Sequence, residues 1–593
     1  MAYPLHYAVC SVRRLYNERG VSRNFSFCLV GLLLAASILA IRDSSGAPLV
    51  PSPVVRFINV APQAGMDVRL INGGAETKKY AFESTGSGVA LIDYDADGYP
   101  DIFFVNGTRL DDSAPNPAPT NHLFHNSGHG TFTDVTVLAG VASSGWGQGV
   151  CAGDFDNDGF DDLFITYYNR QNILYRNNGD GTFSDVTAKA GLGGPSRNWS
   201  TGGAFLDYNR DGKLDLFVTS YVDFDRTSAG LPGSGPNCLS KGVAVFCGPR
   251  GLPAARSHLY RNEGNGKFTD VSAESGITKA GDCYGLGVLT ADFENRRWPD
   301  IYLACDSKPS ILFHNNTDGT FTGVGVQAGV AYDEDGREQA GMGVAAGDYD
   351  NDGRLDIIKT NFEDDVPDLY RNEGNGNFTF RTFDAKLGSN LKYLEWGVGF
   401  FDYDNDGWPD IFIANGHVYP ELERRNHPES PYRQRNLLYH NSGNGRFEDV
   451  SKIAGPGLDL QRSGRGVAFG DLNNDGRLDV IINNQNDPPT LLNNESETLG
   501  HWISIHTVGA KSNRDGIGAR VILIAGGRRQ IQEVRSGGSY LSQNDLRVHF
   551  GLADATKIER IELRWPSGTV DKVENASVDQ CLTVEEGRGA VKN

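Results

Sequence analysis

From about residue 60 onward the apolar positions fall in short runs, with no helical stripe among them. Runs such as DIFFVNG, DLFITYY, DLFVTSY, DIYLACD, DIIKTNF, DIFIANG and DVIINNQ are bounded by Gly, Asn and Asp clusters, the pattern of short buried strands. They recur within a fixed order. A small apolar strand comes first (GSGVALIDYD, GQGVCAGDFD, GMGVAAGDYD, GRGVAFGDLN) and ends in an aspartate-rich loop. The run above follows, then a segment like Leu174-Tyr175-Arg176-Asn177-Asn178-Gly179-Asp180-Gly181-Thr182-Phe183, whose Asn, Gly and Asp mark a hairpin. Phrases like Phe183-Ser184-Asp185-Val186-Thr187 close the unit.

Such a unit of about four short strands cannot bury both its faces alone. Seven of them placed radially cover one another, which predicts an all-β, seven-bladed propeller over 54–495. Two long steps carry insertions at 222–256 and 416–435. Glycines opening the first strands, such as Gly341 and Gly343, fit a crowded central channel.

The aspartate loops supply the chemistry. They start at Asp93, Asp154, Asp207, Asp292, Asp348, Asp402 and Asp471 and read D-x-[DN]-x-D-G-x-x-D. A turn at the glycine aims four side-chain oxygens at one centre, with the carbonyl of position 7 as a fifth. Hard oxygens at that density suit Ca²⁺, at roughly 2.3–2.6 Å. In the first loop the ligands are Asp93, Asp95, Asp97, the carbonyl of Tyr99, and Asp101. In the second they are Asp154, Asp156, Asp158, Phe160 and Asp162, and in the third Asp207, Asn209, Asp211, Lys213 and Asp215. The fifth offers Asp348, Asp350, Asp352, Arg354 and Asp356; the sixth Asp402, Asp404, Asp406, Trp408 and Asp410. The seventh offers Asp471, Asn473, Asp475, Arg477 and Asp479. Asn209 and Asn473 keep the geometry with one charge fewer, so those two sites bind more weakly. The fourth loop has Arg296 at position 5 and Arg297 at the turn. A guanidinium paired with Asp292 and Asp300 replaces the ion there, so six Ca²⁺ are expected and the Asp292 loop is expected to be empty.

Charge changes the picture once the loops are counted. The chain of 593 residues has a formal net charge of -20, and the six regular loops hold 22 of its carboxylates at positions 1, 3, 5 and 9. Much of the acidity is therefore metal ligand, and nucleic acid is excluded as a partner. Hydrophobic content of 39% with 10% aromatics is enough for a β-rich core.

The N-terminus differs. Arg13, Arg14, Arg19 and Arg23 precede the run CLVGLLLAASILAI and then Ser44 to Ala47. That reads as an export signal over 1–47, or an uncleaved anchor, through which alone the chain would meet a membrane. A secreted, periplasmic or cell-surface location follows, and it permits disulfides. Cys238 and Cys247 lie close together in a Gly/Pro-rich insertion. Cys283 and Cys305 sit at the far ends of neighbouring strands. Both pairs are candidates, and no C-x-x-C occurs.

The loops alternating with L-Y-x-N-x-G-x-G-x-F resemble FG-GAP (VCBS) repeats of the integrin α-subunit type. The resemblance implies a seven-bladed propeller with Ca²⁺ in loops between adjacent strands. From His501 the grammar changes to the strands WISIHTV, ARVILIAG, RRQIQEVRS, RVHFGL and RIELRWP, with no aspartate loop. A small β-sandwich over 497–590 is expected. Its phrases Ser512-Asn513-Arg514-Asp515-Gly516-Ile517-Gly518-Ala519-Arg520, Gly537-Gly538-Ser539-Tyr540-Leu541-Ser542-Gln543, Phe550-Gly551-Leu552 and Trp565-Pro566-Ser567-Gly568 resemble the ASPIC/UnbV domain. The mature chain thus resembles the cartilage acidic protein-like family. Asn513, Arg514, Tyr540, Ser542 and Gln543 form either a ligand surface or hydrogen-bonded packing.

Two functions remain open. The first is a non-catalytic Ca²⁺-bearing scaffold or adhesion protein that recognises an extracellular protein or glycan, with Tyr221, Phe224, Tyr419 and Tyr432 exposed on the insertions. The second is a Ca²⁺-dependent polysaccharide lyase or hydrolase. No G-x-S-x-G, H-E-x-x-H or P-loop supports an enzyme. His122, His125, His314 and His440 alternate with Arg in the repeat, which suits structure better than catalysis.

Overall fold

A computed structural model describes residues 55–110, 117–193, 199–425, 427–497 and 499–591. The expected export segment, 1–47, lies outside them. Among the described residues no helix is long and apolar enough to cross a membrane.

The repeat region folds as seven four-stranded antiparallel sheets. The first runs Val89–Ile92, Asp101–Phe104, His122–Asn126, Phe132–Asp134, from inside outward. The next five keep that order. The seventh takes three strands, Gly464–Gly470, Asp479–Asn484 and Thr490–Asn494, from the end of the region. Its outermost strand is Phe57–Asn59, from the beginning, with Phe57 opposite Asn494. Each innermost strand touches the next, and the seventh touches the first, so the ring closes as a propeller.

The apolar residues explain why the sheets stack this way. Alternate side chains of each strand point to opposite neighbours. One buried cluster therefore lies between each adjacent pair. Phe103, Leu123, Ile165 and Tyr167 join the first and second sheets. Phe104, Phe124, Ile481 and Leu491 join the seventh and the first. Near the centre the backbones come too close for side chains. A Cβ on Gly343 would collide with the carbonyl oxygen of Trp396, and one on Gly88 with that of Leu541.

The tail forms two four-stranded sheets. One is ordered Val548–Ala553, His501–Val508, Gln580–Glu585, Gly589–Val591, with its middle pair parallel. The other is ordered Arg528–Glu533, Arg520–Ala525, Ile558–Arg564, Val570–Ala576. Ile503, Ile505, Val521, Leu523, Leu563 and Trp565 fill the space between them. Residues 537–543 leave this domain and enter the centre of the ring. Gln543 bridges to Ala90 and Ser539 to Val344, the Leu541 carbonyl accepts the Val150 N–H, and the Ser539 hydroxyl accepts that of Val398. Tyr540 is fully buried, edge-on to Trp396, and donates its hydroxyl to the Thr85 carbonyl at 2.6 Å. Of the polar cluster predicted here, Asn513, Tyr540, Ser542 and Gln543 are buried in hydrogen-bonded packing, and only Arg514 is exposed.

The insertions correct another expectation. Tyr221, Tyr419 and Tyr432 are not exposed, at 3%, 9% and 4%, and Phe224 packs against Phe82 and Trp199. Tyr221, Tyr419 and Phe224 share one buried cluster with Tyr80 and Phe82, which covers the mouth of the channel opposite the tail. The local pattern marked them as loop aromatics. Their burial comes from convergence of segments far apart in sequence. Both candidate disulfides, Cys238–Cys247 and Cys283–Cys305, are formed, while Cys151 and Cys581 are free.

Candidate metal centre

Every aspartate loop has one shape, and its hydrogen bonds explain why. The carboxylate at position 1 accepts the backbone N–H of positions 5 and 6, as Asp93 does from Asp97 and Gly98 at 3.0 Å each. Position 5 accepts the N–H of position 7: Asp97 from Tyr99, Asp158 from Phe160, Asp211 from Lys213, Asp352 from Arg354, Asp406 from Trp408 and Asp475 from Arg477. The carboxylate at position 9 opens the second strand and accepts the N–H of position 2 of its own loop, as Asp410 does from Tyr403. Its other oxygen accepts the N–H of the asparagine in L-Y-x-N, as Asp101 does from Asn126 and Asp410 from Asn441, both at 2.7 Å. Position 4 sits in the left-handed region in all seven loops, from Ala96 at φ 58° to Asn474 at φ 57°.

These bonds leave a knot of oxygens. Single oxygens of Asp93, Asp95 and Asp101 lie within 4.8 Å of one another, as do those of Asp154, Asp156 and Asp162. Asp404 and Asp410 form such a group with His440. One buried oxygen each of Asp95 and Asp404 has no hydrogen-bond donor. Burial first, and neighbouring carboxylates after it, raise the acids. Asp93, Asp207 and Asp471 are pushed up to about 6, Asp154 and Asp348 to about 7, Asp479 to about 8 and Asp101 to about 9. Asp162, Asp215, Asp356, Asp402 and Asp410 also lie well above the usual range. Carboxylates that cannot all stay ionised together unaided are a donor set fitted to a divalent cation.

The fourth loop keeps the shape and changes the chemistry. Asp292 accepts the N–H of Arg296 and of Arg297, and Arg297 holds the turn at φ 65° in place of glycine. The Arg296 guanidinium lies 2.7 Å from Glu294 and 3.4 Å from Asp300. The predicted partner Asp292 is therefore replaced by Glu294, because both Asp292 oxygens are taken by the backbone.

Two sets of residues were not singled out from the sequence for these loops. The first is the third residue of L-Y-x-N, which reaches over the acids. His125 lies 3.3 Å from Asp95 and from Asp101, and Arg371 lies 2.6 Å from Asp350 and from Asp352. Arg176 pairs with Asp156 and Asp158, and His440 lies 3.2 Å from Asp410. Its signal was the alternation of His with Arg at this position. The asparagine that follows it is a latch. Its side-chain N–H donates to a carbonyl in the preceding sheet's loop: Asn177 to Tyr94, Asn262 to Phe155, Asn315 to Tyr208, Asn372 to Phe293, Asn441 to Tyr349, Asn494 to Tyr403, and Asn126 back to Leu472.

The second set is on the tail, which sits on the loop face. Asp515 accepts the N–H of Asp154, and Glu533 that of Asp292. Arg520, Arg528 and Arg547 donate to the carbonyls of Asp292, Asp406 and Asp471. Pro566 and Gly568 accept from Arg210 and Arg297. Several of these residues lie in the tail phrases quoted above, but which surface they grip has no local signature.

The FG-GAP-like repeat model matches residues 93–165, 154–218, 292–358, 361–413 and 430–482, and the ASPIC and UnbV model matches 509–591. The chain is 24% identical over 509 residues to cartilage acidic protein 1 of Mus musculus, covering 81% of this chain and 70% of that protein. It is 25% identical over 441 residues to cartilage acidic protein 1 of Homo sapiens, covering 71% and 60%. The chain thus spans less than two thirds of the human relative. Among solved structures, BP39L lectin from Burkholderia pseudomallei aligns with a TM-score of 0.40 at 10% identity, over 69% of this chain and 95% of that one.

Proposed function

Because the chain belongs to the FG-GAP-like repeat family and ends in an ASPIC and UnbV domain, we propose that it is a secreted, periplasmic or cell-surface scaffold. In this reading it is stabilised by Ca²⁺, has no catalytic role, and recognises a protein or glycan partner. The observation that carries the calcium part is one backbone frame shared by all the aspartate loops, with oxygens of three carboxylates drawn together in the first and second of them. Positions 1, 3, 5 and 9 of the six regular loops would hold the ions. The cation supplies the positive charge that lets these acids ionise together. The chain's own residues do the rest: backbone N–H groups orient the carboxylates, and the asparagine latch passes each loop's position to its neighbour.

An export route is supported by the two disulfides, which persist in oxidising compartments. The scaffold reading is supported by the tail, whose Asp515, Glu533, Arg520, Arg528 and Arg547 grip the backbone of the aspartate loops. Metal analysis of the purified chain tests it, with six calcium ions expected and removal by chelator expected to lower the melting temperature. An unchanged melting curve would refute structural calcium. Turnover of any of a panel of polysaccharides, read as reducing ends or unsaturated products, would replace the scaffold with a lyase or hydrolase.

A further inference from the structure

Seven residues ahead of the first loop aspartate, six of the seven sheets carry Gly or Ser: Gly86, Gly147, Ser200, Gly285, Gly341 and Gly464. The sixth sheet carries Glu395, the first residue of its innermost strand, Glu395–Phe401. Glu395 is 1% exposed. It sits on the join with the fifth sheet. The Glu395 N–H donates to the Asn361 carbonyl at 3.1 Å, and the Thr360 hydroxyl to the Trp396 carbonyl at 2.6 Å. The second insertion closes in from above. Gln434 accepts the Leu394 N–H at 2.9 Å, and Gly416 donates to the Leu394 carbonyl at 3.0 Å. A glycine asks nothing of these surroundings, whereas a carboxyl group does.

The chain does not answer it as an anion. Among the described residues Glu395 is the one carboxylate whose two oxygens are both buried and without a hydrogen-bond donor. The backbone N–H of Asn361 faces it without closing a bond. Its charged neighbours are two carboxylates on the fifth-sheet side, Asp368 and Asp365. The Lys359 ammonium is paired with Asp368 at 2.8 Å, and the Gln339 amide with Asp365 at 2.9 Å. Tyr439, on the third strand of the sixth sheet, holds its hydroxyl against the Asn390 amide at 2.8 Å.

Directly opposite Glu395 on the neighbouring strand stands Asn415, also fully buried. Opposed residues of an antiparallel pair share one face, with Cβ atoms about 5 Å apart. The Asn415 Nδ2 donates to the Arg435 carbonyl at 2.9 Å, which leaves its Oδ1 as the atom without a partner. Two acceptors side by side in a dry join make no bond unless one of them brings a proton. An ionised carboxylate there would bear the full cost of desolvation. Burial, with the two neighbouring carboxylates after it, holds the Glu395 acid well above the usual range.

We infer that Glu395 is kept as a neutral acid donating to Asn415, and that loss of its proton unseats the join between the fifth and sixth sheets and the second insertion above it. This goes beyond the scaffold reading and does not depend on it, because Glu395 belongs to none of the aspartate loops. A carboxyl group raised by folding stabilises fully below its unfolded value, ~4.3, and that stabilisation is lost as pH rises through the folded value.

The test is denaturant and thermal melting of the calcium-saturated full chain and of its Glu395→Gln variant from pH 5 to pH 9. Glutamine has the same shape and a permanent donor. The folding equilibrium of the wild type should fall behind that of the variant by about tenfold per pH unit, up to the folded value. Hydrogen exchange over 360–366 and 393–397, corrected for its intrinsic pH dependence, should quicken with pH in the wild type alone. Glu395→Gly, which installs the residue of five other sheets, covers a failure of the first variant to fold. It should remove the same pH dependence while lowering the melting temperature. Wild-type and variant curves that stay parallel across the range overturn the inference. A Glu395→Gln chain less stable than the wild type at pH 8 also overturns it, and would show an ionised carboxylate held by a bound cation.

Discussion

The fourth and sixth aspartate loops share a backbone and differ in what fills it. Asp292 and Asp402 each accept the N–H groups of positions 5 and 6, and Asp300 and Asp410 each accept the N–H of an asparagine in the third strand. Position 4 lies at φ 59° in one and 57° in the other. At position 5, however, one loop carries the Arg296 guanidinium, paired with Glu294 and Asp300, and the other carries Asp406. The contrast separates two jobs of the same motif. The first and ninth carboxylates shape the loop by capturing backbone N–H groups. On the proposed reading, the third and fifth positions would decide whether the knot takes an ion or an internal cation.

Chelation should break the comparison most strongly. Six bound ions, each stabilising by about 2.7 kcal/mol at a hundredfold excess over Kd, correspond to a fall in melting temperature on the order of 10 °C when they are removed. Scanning calorimetry with and without chelator checks this. The gap should widen from pH 5 to pH 8. In the ion-free fold burial and neighbouring carboxylates hold Asp93, Asp154 and Asp348 at about 6–7 and Asp101 at about 9, above the unfolded value of ~3.9. That fold binds more protons than the unfolded chain through this window, so its stability is greatest at low pH and is lost as pH rises. The loaded fold keeps those acids ionised and is spared.

Single loops give the next largest effect. Asp410→Asn should reduce the metal content from six to five, with a lower melting temperature. Asp300→Asn should leave the metal content at six, since an arginine already balances that loop. Next comes conversion: Arg296→Asp with Arg297→Gly should add a seventh ion, read by metal analysis. A count still at six would show that Glu294 or His314 also blocks the site. Smallest is Arg297→Gly alone. It relieves a left-handed arginine and loses the bond to Gly568, so stability should move by under about 1 kcal/mol with the metal content unchanged.

The sheets and loops were legible because their information is local. Alternation, turn residues and the nine-residue spacing lie within one unit, and repetition multiplies the signal. The asparagine of L-Y-x-N was visible as a repeated letter, but its latch to the preceding loop depends on how two sheets meet. Tyr540 read as one of a polar cluster on the tail and is buried in the channel. Tyr221 and Tyr419 read as exposed and are buried, because the first insertion, the second insertion and residues 80–82 cover one another. In each case the deciding contact joins segments far apart in sequence, from 79 residues for Asn372 and Phe293 to 455 for Tyr540 and Thr85, and no periodicity records it.

The strand Phe57–Asn59 carries a consequence for how the molecule is made. It is the first strand of the ring to be synthesised, and its partner, Thr490–Asn494, comes after every other strand of the seven sheets. Until then the first and seventh sheets have no shared core, and the growing chain is an open arc with an apolar face at each end. Closure is therefore a late, long-range event, slow by its contact order and exposed to mispairing between neighbouring chains. Loss of three residues near one terminus would leave most of the sequence intact and the circle unsealed.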